Sequence, residues 1–589
     1  MSQDVTGSSE AVSGHFVVPG TCFNSNASPL RQREANAARI ARDPVLRNFY
    51  LGAALADVPR LLGAVDRNPY RPTYGCMDRQ FWHYRTSSFP SQMFQEGVLP
   101  LALVYSVKLP GNRWQGDLRV RELAVAAMRF AARSSHRDGS CDDYYPFERA
   151  LGAAVFSLQA AARAYQLLEL DDGELLGWFE RRAHWLIRHD ESGHLANHQA
   201  LAALGLLRVW QITKTQAYRD AAEARIRTLL DWQSDEGWFE EYGGADPGYQ
   251  TVTIDCLAKI RRLTGAEQLD EPLRKAVAFA RMFLHPDDSY AGQYGSRGTY
   301  HFYPHGMELL AADDPNAADL ADGFLRGLAA GKQAALSDDR MYAHRLGNLI
   351  EAYVDWAPTR PAPSPQPETD STRYLPQARL LVRRRRTAQT VISAARGGVF
   401  KHFAPGRSPV SDAGLIVETA DGRAAVSQTH DLERRVEGIS NGEAAETKTF
   451  SVSGPLYWTR FETATPIKQA VFHTGMLLAG RWCRTLVRRL LQRRLITGRR
   501  ACPVRLTRTF EFLGEREAGG GPVLRVTDTI ELTHPRIRVR RMSFGTDHET
   551  AYVAASGVYQ EGVLALWTNL TSYVDQLNAK RRVTVVREF

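Results

Sequence analysis

APTRPAPSPQPETDS, residues 357–371, divides this chain in two. Its five prolines and lack of apolar periodicity read as an extended linker, because proline fixes φ and withholds a backbone donor. Before it, apolar residues recur at i, i+3 and i+4 across 119–133, 147–168, 174–189, 195–213, 218–233, 249–263 and 272–283. That spacing is the 3.6-residue period of helices with one face in a core. Weaker segments near 45–64, 93–108, 305–312, 316–334 and 341–355 bring the total to about a dozen helices. Short Gly- and Asp-rich loops favour antiparallel hairpins, so residues 1–356 are expected to form an α/α solenoid or closed toroid. After the linker the period shortens. Residues 380–382, 391–395, 414–418, 450–453, 504–512, 523–532 and 563–567 are short, β-branched and partly alternating. Turn signals such as Ala420-Asp421-Gly422 separate them. Strands without crossover helices predict an antiparallel β-sandwich over residues 372–589.

The composition, 44% hydrophobic and 24% charged over 589 residues, excludes a disordered chain. The 74 Lys and Arg exceed the 65 Asp and Glu, a net charge of +9. Such an excess suits an acidic glycan, a nucleic acid or an anionic membrane without choosing among them. Six dispersed cysteines with no CxxC spacing are expected to be reduced, mostly buried thiols rather than zinc ligands. The first twenty residues lack a basic stretch followed by an apolar one, and no apolar run is long enough to span a bilayer. The expected compartment is therefore the cytoplasm.

Five loops of the helical half carry more polar and aromatic residues than packing requires. They are YGCMDRQFWHYR (74–85, with Trp82 and Tyr84), DDYYPFER (142–149, with Tyr145, Glu148 and Arg149), the Asn197-His198 pair, GWFEEYGGADPGY (237–249, with Trp238 and Tyr249) and QYGSRGTY (293–300, with Arg297 and Tyr300), followed by His301 and His305. Sugars stack on rings and bond to planar polar groups, so loops of this kind converging on a toroid mouth would make a carbohydrate cleft. Each cluster also has a plainer use in capping and packing its own helix. His301 and His305 have the i, i+4 spacing of a metal pair, but Pro304 breaks the helix between them and no third ligand is indicated, so no metal or other cofactor is expected. Asp142, Asp143 and Glu148 offer the paired carboxylates of a glycoside hydrolase.

Asn197-His198, the Tyr249 loop and GGVFKH (397–402) resemble the heparinase II/III-like polysaccharide lyases. DDYYPFER, EGWFEEYGGADPGY and YGSRGTYHFYPHG further resemble a bacterial subgroup tied to extracellular polysaccharide clusters. The resemblance implies a toroid followed by a sandwich, and β-elimination at a uronic acid. It gives Asn197 the neutralising position, His198 that of the base, Tyr249 that of acid or base, and His402 that of a histidine supplied by the sandwich. Arg297 is added as a bidentate carboxylate clamp, Tyr300 as a second acid, and Trp82, Tyr84, Tyr145, Glu148, Arg149, Trp238 and His305 as substrate contacts. The implied substrate is an acidic polysaccharide or its lipid-linked precursor. A uronyl C5-epimerase, a hydrolase and a non-catalytic glycan-binding or assembly protein stay open as alternatives.

RWCRTLVRRLLQRRLITGRR, running from Arg481 to Arg500, holds eight arginines and no acid. Trp482, Leu486 and Leu490, with Cys483, Val487 and Leu491, repeat every four residues, which predicts a basic amphipathic helix near 473–498 inserted among the strands. Such a helix suits an anionic membrane surface, with attachment at the inner face of the membrane. Its alternative is packing on the sandwich, with Arg383 to Arg386 joining the same basic patch. No nucleic-acid recognition motif accompanies the charge.

Overall fold

The computed structural model describes residues 39–191, 193–336, 341–362, 371–385, 388–438, 448–460, 465–492, 498–515, 522–545, 558–559 and 567–589. The chain forms an α/α toroid followed by an antiparallel β-sandwich. The toroid helices are α1 (Asn48–Ala64), α2 (Val98–Ser106), α3 (Leu118–Ser134), α4 (Leu151–Leu167), α5 (Gly173–Arg188), α6 (Ala196–Thr213), α7 (Gln216–Asp231), α8 (Pro247–Thr264), α9 (Asp270–Arg281), α10 (Pro315–Ala329) and α11 (Tyr342–Val354). An inner ring runs α2, α4, α6, α8, the short helix His305–Leu310 and α11, and α11 closes it by packing on α2 and α1.

Sequence explains which helices lie inside. LGAAVFSLQAAARAYQL of α4 and ANHQALAALGLLRVWQIT of α6 are apolar almost all round and buried along most of their length. GELLGWFERRAHWLIR of α5 has a charged face and lies outside. The connections alternate in the same way. After α4, α6 and α8 the connections from inner to outer helices are short, at residues 168–172, 214–215 and 265–269. Those from outer to inner helices are long (135–150, 189–195, 232–246, 282–304), so the polar-aromatic loops gather at the end of the ring where inner helices begin. Three of them open on one repeated turn, in which the N–H of His136, Ser234 and His285 bonds to the carbonyl of Ser140, Trp238 and Ser289 respectively.

The residues read as a linker start as structure. Thr359–Pro361 (β2) pairs antiparallel with Arg39–Ala41 (β1). Arg360 is fully buried on Glu308 (2.6 Å) and Asp322 (2.9 Å). Residues 363–370 lie outside the described residues.

One sandwich sheet runs β3 (Ser371–Leu375), β4 (Leu380–Arg385), β5 (Ala388–Ser393), β6 (Val399–Phe403), β7 (Val410–Asp412) in chain order. The second includes β8 (Gly414–Thr419), β9 (Ala424–Val426), β10 (Arg435–Glu437), β11 (Thr449–Thr459), β12 (Ala501–Glu515), β13 (Pro522–Leu532), β14 (Val539–Gly545), β15 (Thr568–Asn569) and β16 (Arg582–Glu588). Its order is β15-β14-β8-β9-β11-β12-β13-β16, with β10 also on β11. The first sheet is buried on both faces. Val382, Val391 and Val399 join the toroid core, while Leu381, Ile392 and Phe400 pack on Phe450, Phe510 and Val526 of the second sheet. Of the segment 563–567, only Trp567 lies within the described residues.

The basic insertion is a helix, α12 (Pro466–Gln492), between β11 and β12. Residues 493–497 lie outside the described residues. Two arginines of the 383–386 run are engaged elsewhere: Arg383 stacks on Phe512 within the sandwich, while Arg384 donates to toroid carbonyls of Met282 and Leu284 (3.2 Å each); Arg386 lies outside the described residues. Alternation along β4 sends neighbours to opposite faces. Among the described residues, no helix is long and apolar enough to cross a membrane.

Candidate active site

The loop 135–150 is shaped by Asp142. Its carboxylate accepts the backbone N–H of Phe147 (2.8 Å) and Arg149 (2.9 Å) and meets His136 Nε2 at 2.9 Å. Phe147 and Arg149 adopt φ of 60° and 53°, a region that non-glycine residues rarely enter. The captured amides delay the helix predicted from residue 147 until Leu151. Asp143 accepts the Ser91 hydroxyl at 2.6 Å. The paired-carboxylate reading therefore reduces to Glu148, whose carboxylate accepts the Tyr144 N–H at 2.7 Å. Burial, reinforced by Asp143, pushes the Glu148 carboxyl up to about 8.

A buried network joins three of the other loops. Glu241 Oε1 accepts the Asn197 backbone N–H (3.0 Å) and Nδ2 (2.6 Å), and its Oε2 accepts Arg297 Nη1 (3.1 Å). Asp246 caps α8 through the Tyr249 N–H (3.0 Å) and also accepts the Arg297 N–H (2.9 Å), which registers these two loops against each other. The Arg297 guanidinium lies 4.3 Å from the Tyr249 ring centre and 4.8 Å from that of Tyr242. Asn197, Glu241, Arg297 and Tyr249 are each 5% exposed or less. Burial pushes the Glu241 carboxyl up, and Arg297 with the Asn197 donors opposes it. Asn197 Oδ1 is buried with no hydrogen-bond partner among the described residues.

His198, the next residue, is half-buried beside this network. Its Nδ1 meets Glu191 Oε2 at 2.9 Å, so Glu191 accepts the Nδ1 proton and leaves Nε2 to accept one. A Cβ at Gly152 on α4 would stand 2.9 Å from His198 Cε1, so glycine makes room for the ring. Glu191 also pairs with Arg488 of α12, which feels the charges of Glu148, Tyr242 and Tyr145 as well. Phe472 packs edge-on against Tyr145 (5.4 Å between ring centres), and Gly480 lies against Phe147. One face of α12 thus covers the mouth.

The structure gathers Asn197, His198, Tyr249, Arg297, Tyr145 and Glu148, but it uses Arg297 differently from the clamp expected. Its charge is spent on Glu241 beneath Tyr249. His402 is placed elsewhere: it bonds to Thr390 (2.9 Å) and lines a small cavity with Arg383 and Phe512 inside the sandwich. Burial, helped by Arg407, pushes its imidazole down to about 4. Its neighbour Lys401 takes the toroid-facing side, 4.9 Å from the Tyr300 ring, and burial pushes that amine down to about 7. Tyr300 donates to Gln293 at this seam and does not join the mouth network. His305 sits inside the ring near Asp255, Glu351 and Asp355, whereas His301 packs on Tyr249 at 5.5 Å; they share no site.

Trp238 donates to Glu236, which in turn accepts the Gln377 and Ala378 N–H groups at the toroid–sandwich seam. Trp82 donates to the Ala64 carbonyl at the end of α1, while Tyr84 accepts from Arg79 and Arg149 pairs with Asp138 within their own loops. Sequence reasoning passed over Glu191, Glu241, Tyr242 and His430. Tyr242 has a φ of 53° at the mouth, where only its glycine-rich context offered a signal. His430, from the sandwich, reaches the mouth loops: its Nε2 lies 2.7 Å from where a Gly244 Cβ would be. Burial, with Arg396 and Arg499 nearby, pushes its imidazole down to about 3.

No family model matches the chain, and no curated protein matches it. Among solved structures it is similar to the Streptomyces coelicolor A3 chondroitin AC lyase in complex with chondroitin sulphate, at 13% identity and a TM-score of 0.49, over 89% of this chain and 69% of that one. It is similar to heparinase III at 10% identity and 0.39, over 90% and 91%. To an unsaturated glucuronyl hydrolase of Streptococcus agalactiae the values are 11% and 0.37, over 56% and 97%.

Proposed function

We propose that the chain is a lyase-like enzyme that abstracts the C5 proton of a uronate in an acidic bacterial polysaccharide or its lipid-linked precursor. It would serve exopolysaccharide or capsule metabolism on the cytoplasmic side. The observation that carries this reading is the Glu191–His198 pair lying beside the Asn197–Glu241–Arg297–Tyr249 network at one mouth. Asn197 uses its second amide N–H to neutralise the uronate carboxylate, which acidifies C5–H. His198 Nε2 takes that proton, and Glu191 stabilises the imidazolium that results. The C–H electrons form the C4–C5 double bond while the C4–O bond breaks. Tyr249 gives its phenolic proton to the departing oxygen. In an epimerase the same Tyr249 proton would go to the opposite face of C5.

Incubation with acidic glycans in heavy water tests this. A lyase forms an ultraviolet-absorbing unsaturated uronate, and an epimerase places deuterium at C5 with the chain intact. His198→Ala and Tyr249→Phe should each lower either product by about 10²–10⁴-fold. Hydrolysis is the second reading, favoured by the Glu148 carboxyl, which burial and Asp143 push up to about 8, the direction that suits a general acid. Cleavage with C5 unlabelled and no double bond would refute the lyase and select that reading.

A further inference from the structure

We propose that α12 docks the protein on an anionic lipid bilayer, a property independent of which reaction the mouth performs. One face of α12 is used internally, through Phe472, Met476, Gly480 and Arg488. The other carries Ile467, Val471, Leu478, Trp482, Leu486 and Leu490, each between 57% and 78% exposed. At about 100° per residue these six fall within one arc of roughly 140°, and at 1.5 Å per residue the stripe is about 35 Å long. Soluble proteins rarely leave so many large apolar side chains on one face of a helix in water unless something covers them.

Charge selects the occupant. Residues 463–510 contain ten arginines and Lys468 with no aspartate or glutamate. A second copy of the chain would bring two such cationic segments together, which costs Coulomb energy. An anionic headgroup layer instead gains it while the apolar side chains enter the acyl boundary, with Trp482 at the interface. Because the inner face of α12 covers the mouth, docking holds the mouth within about one helix diameter of the lipid surface. That geometry favours a glycan carried on lipid over a free polymer.

Flotation of the full chain with vesicles tests the proposal, using phosphatidylcholine alone or with about one-third phosphatidylglycerol. The wild type should float with the anionic vesicles and much less with the neutral ones, and added salt should weaken it. Trp482→Ala/Leu486→Ala should lower partitioning about tenfold or more, because two exposed apolar side chains leave the lipid contact. Circular dichroism of the variant should match wild type. Failure of the wild type to float, equal flotation of the variant, or equal binding to neutral vesicles would overturn the proposal. So would a concentration-dependent dimer, seen by sedimentation, that the double substitution abolishes without any vesicle binding.

Discussion

Replacing Glu241 by leucine strands the Arg297 guanidinium, whose side chain is 3% exposed, together with two donors of Asn197. Removing one partner of a buried ion pair costs about 3–5 kcal/mol, since the remaining charge stays desolvated without its counter-charge. Arg297→Met strands the Glu241 carboxylate at a similar cost. The double variant Glu241→Leu/Arg297→Met removes both charges of the pair and leaves the Asn197 donors unsatisfied, at about 1–3 kcal/mol. The double should therefore be more stable than either single, with a coupling energy of several kcal/mol against their sum. Urea unfolding followed by helical circular dichroism measures this, comparing midpoints where the slopes agree, because two domains need not unfold together. Costs that add to within about 0.5 kcal/mol would refute the picture of one desolvated unit holding Asn197 and Tyr249 in place.

Gly152→Ala should lower turnover of the uronate substrate at least tenfold with little loss of stability. The added methyl meets His198 at 2.9 Å, while alanine is the better helix former by about 1 kcal/mol, and unchanged kinetics would refute this placement of His198. The native state keeps a proton on Glu148 that the unfolded chain releases near pH 4, so the wild type loses stability as pH rises from about 4 to 8. Glu148→Gln stays neutral, so its melting temperature should fall less between pH 5 and pH 8; an equal fall would count against a protonated Glu148. Lys401 has the opposite sign. Its native amine titrates at about 7 and the unfolded one near 10.4, so stability rises with pH across that window. Lys401→Met should therefore stabilise the protein more at pH 6.5 than at pH 10, as thermal melts at both pH values would reveal, and the reverse order would refute the assignment.

Much of the candidate site was legible because its residues sit at helix starts. Asn197 lies in the first turn of α6, and Tyr249 follows the Asp246-Pro247 start of α8, so local pattern placed both at one end of the ring. What escaped were partners brought in from a distance. Glu241 and Glu191 looked like loop carboxylates, yet burial against Arg297 and Arg488 gives them their importance. Composition likewise did not reveal that the Trp82 and Trp238 indoles and the Tyr84 phenol each have a hydrogen-bond partner within the toroid.

The sequence by itself determined the two-part architecture, since a 3.6-residue period before residue 357 and short β-branched runs after 371 admit helical hairpins and then strands. It also determined that Arg481 to Gln492 belong to a basic, amphipathic helix. Only the tertiary structure decided between His402 and Lys401. Every residue of β6 is buried, so alternation says that neighbours part company but not which side meets the toroid. It likewise sent Arg297 to a carboxylate 56 residues away, moved His305 inside the ring and brought His430 to the mouth. The physical reason is common to all four. Local pattern fixes which groups share an element and a face, whereas the partner that desolvates or neutralises a buried charge arrives from another element, when the ring closes and the sheet packs against it.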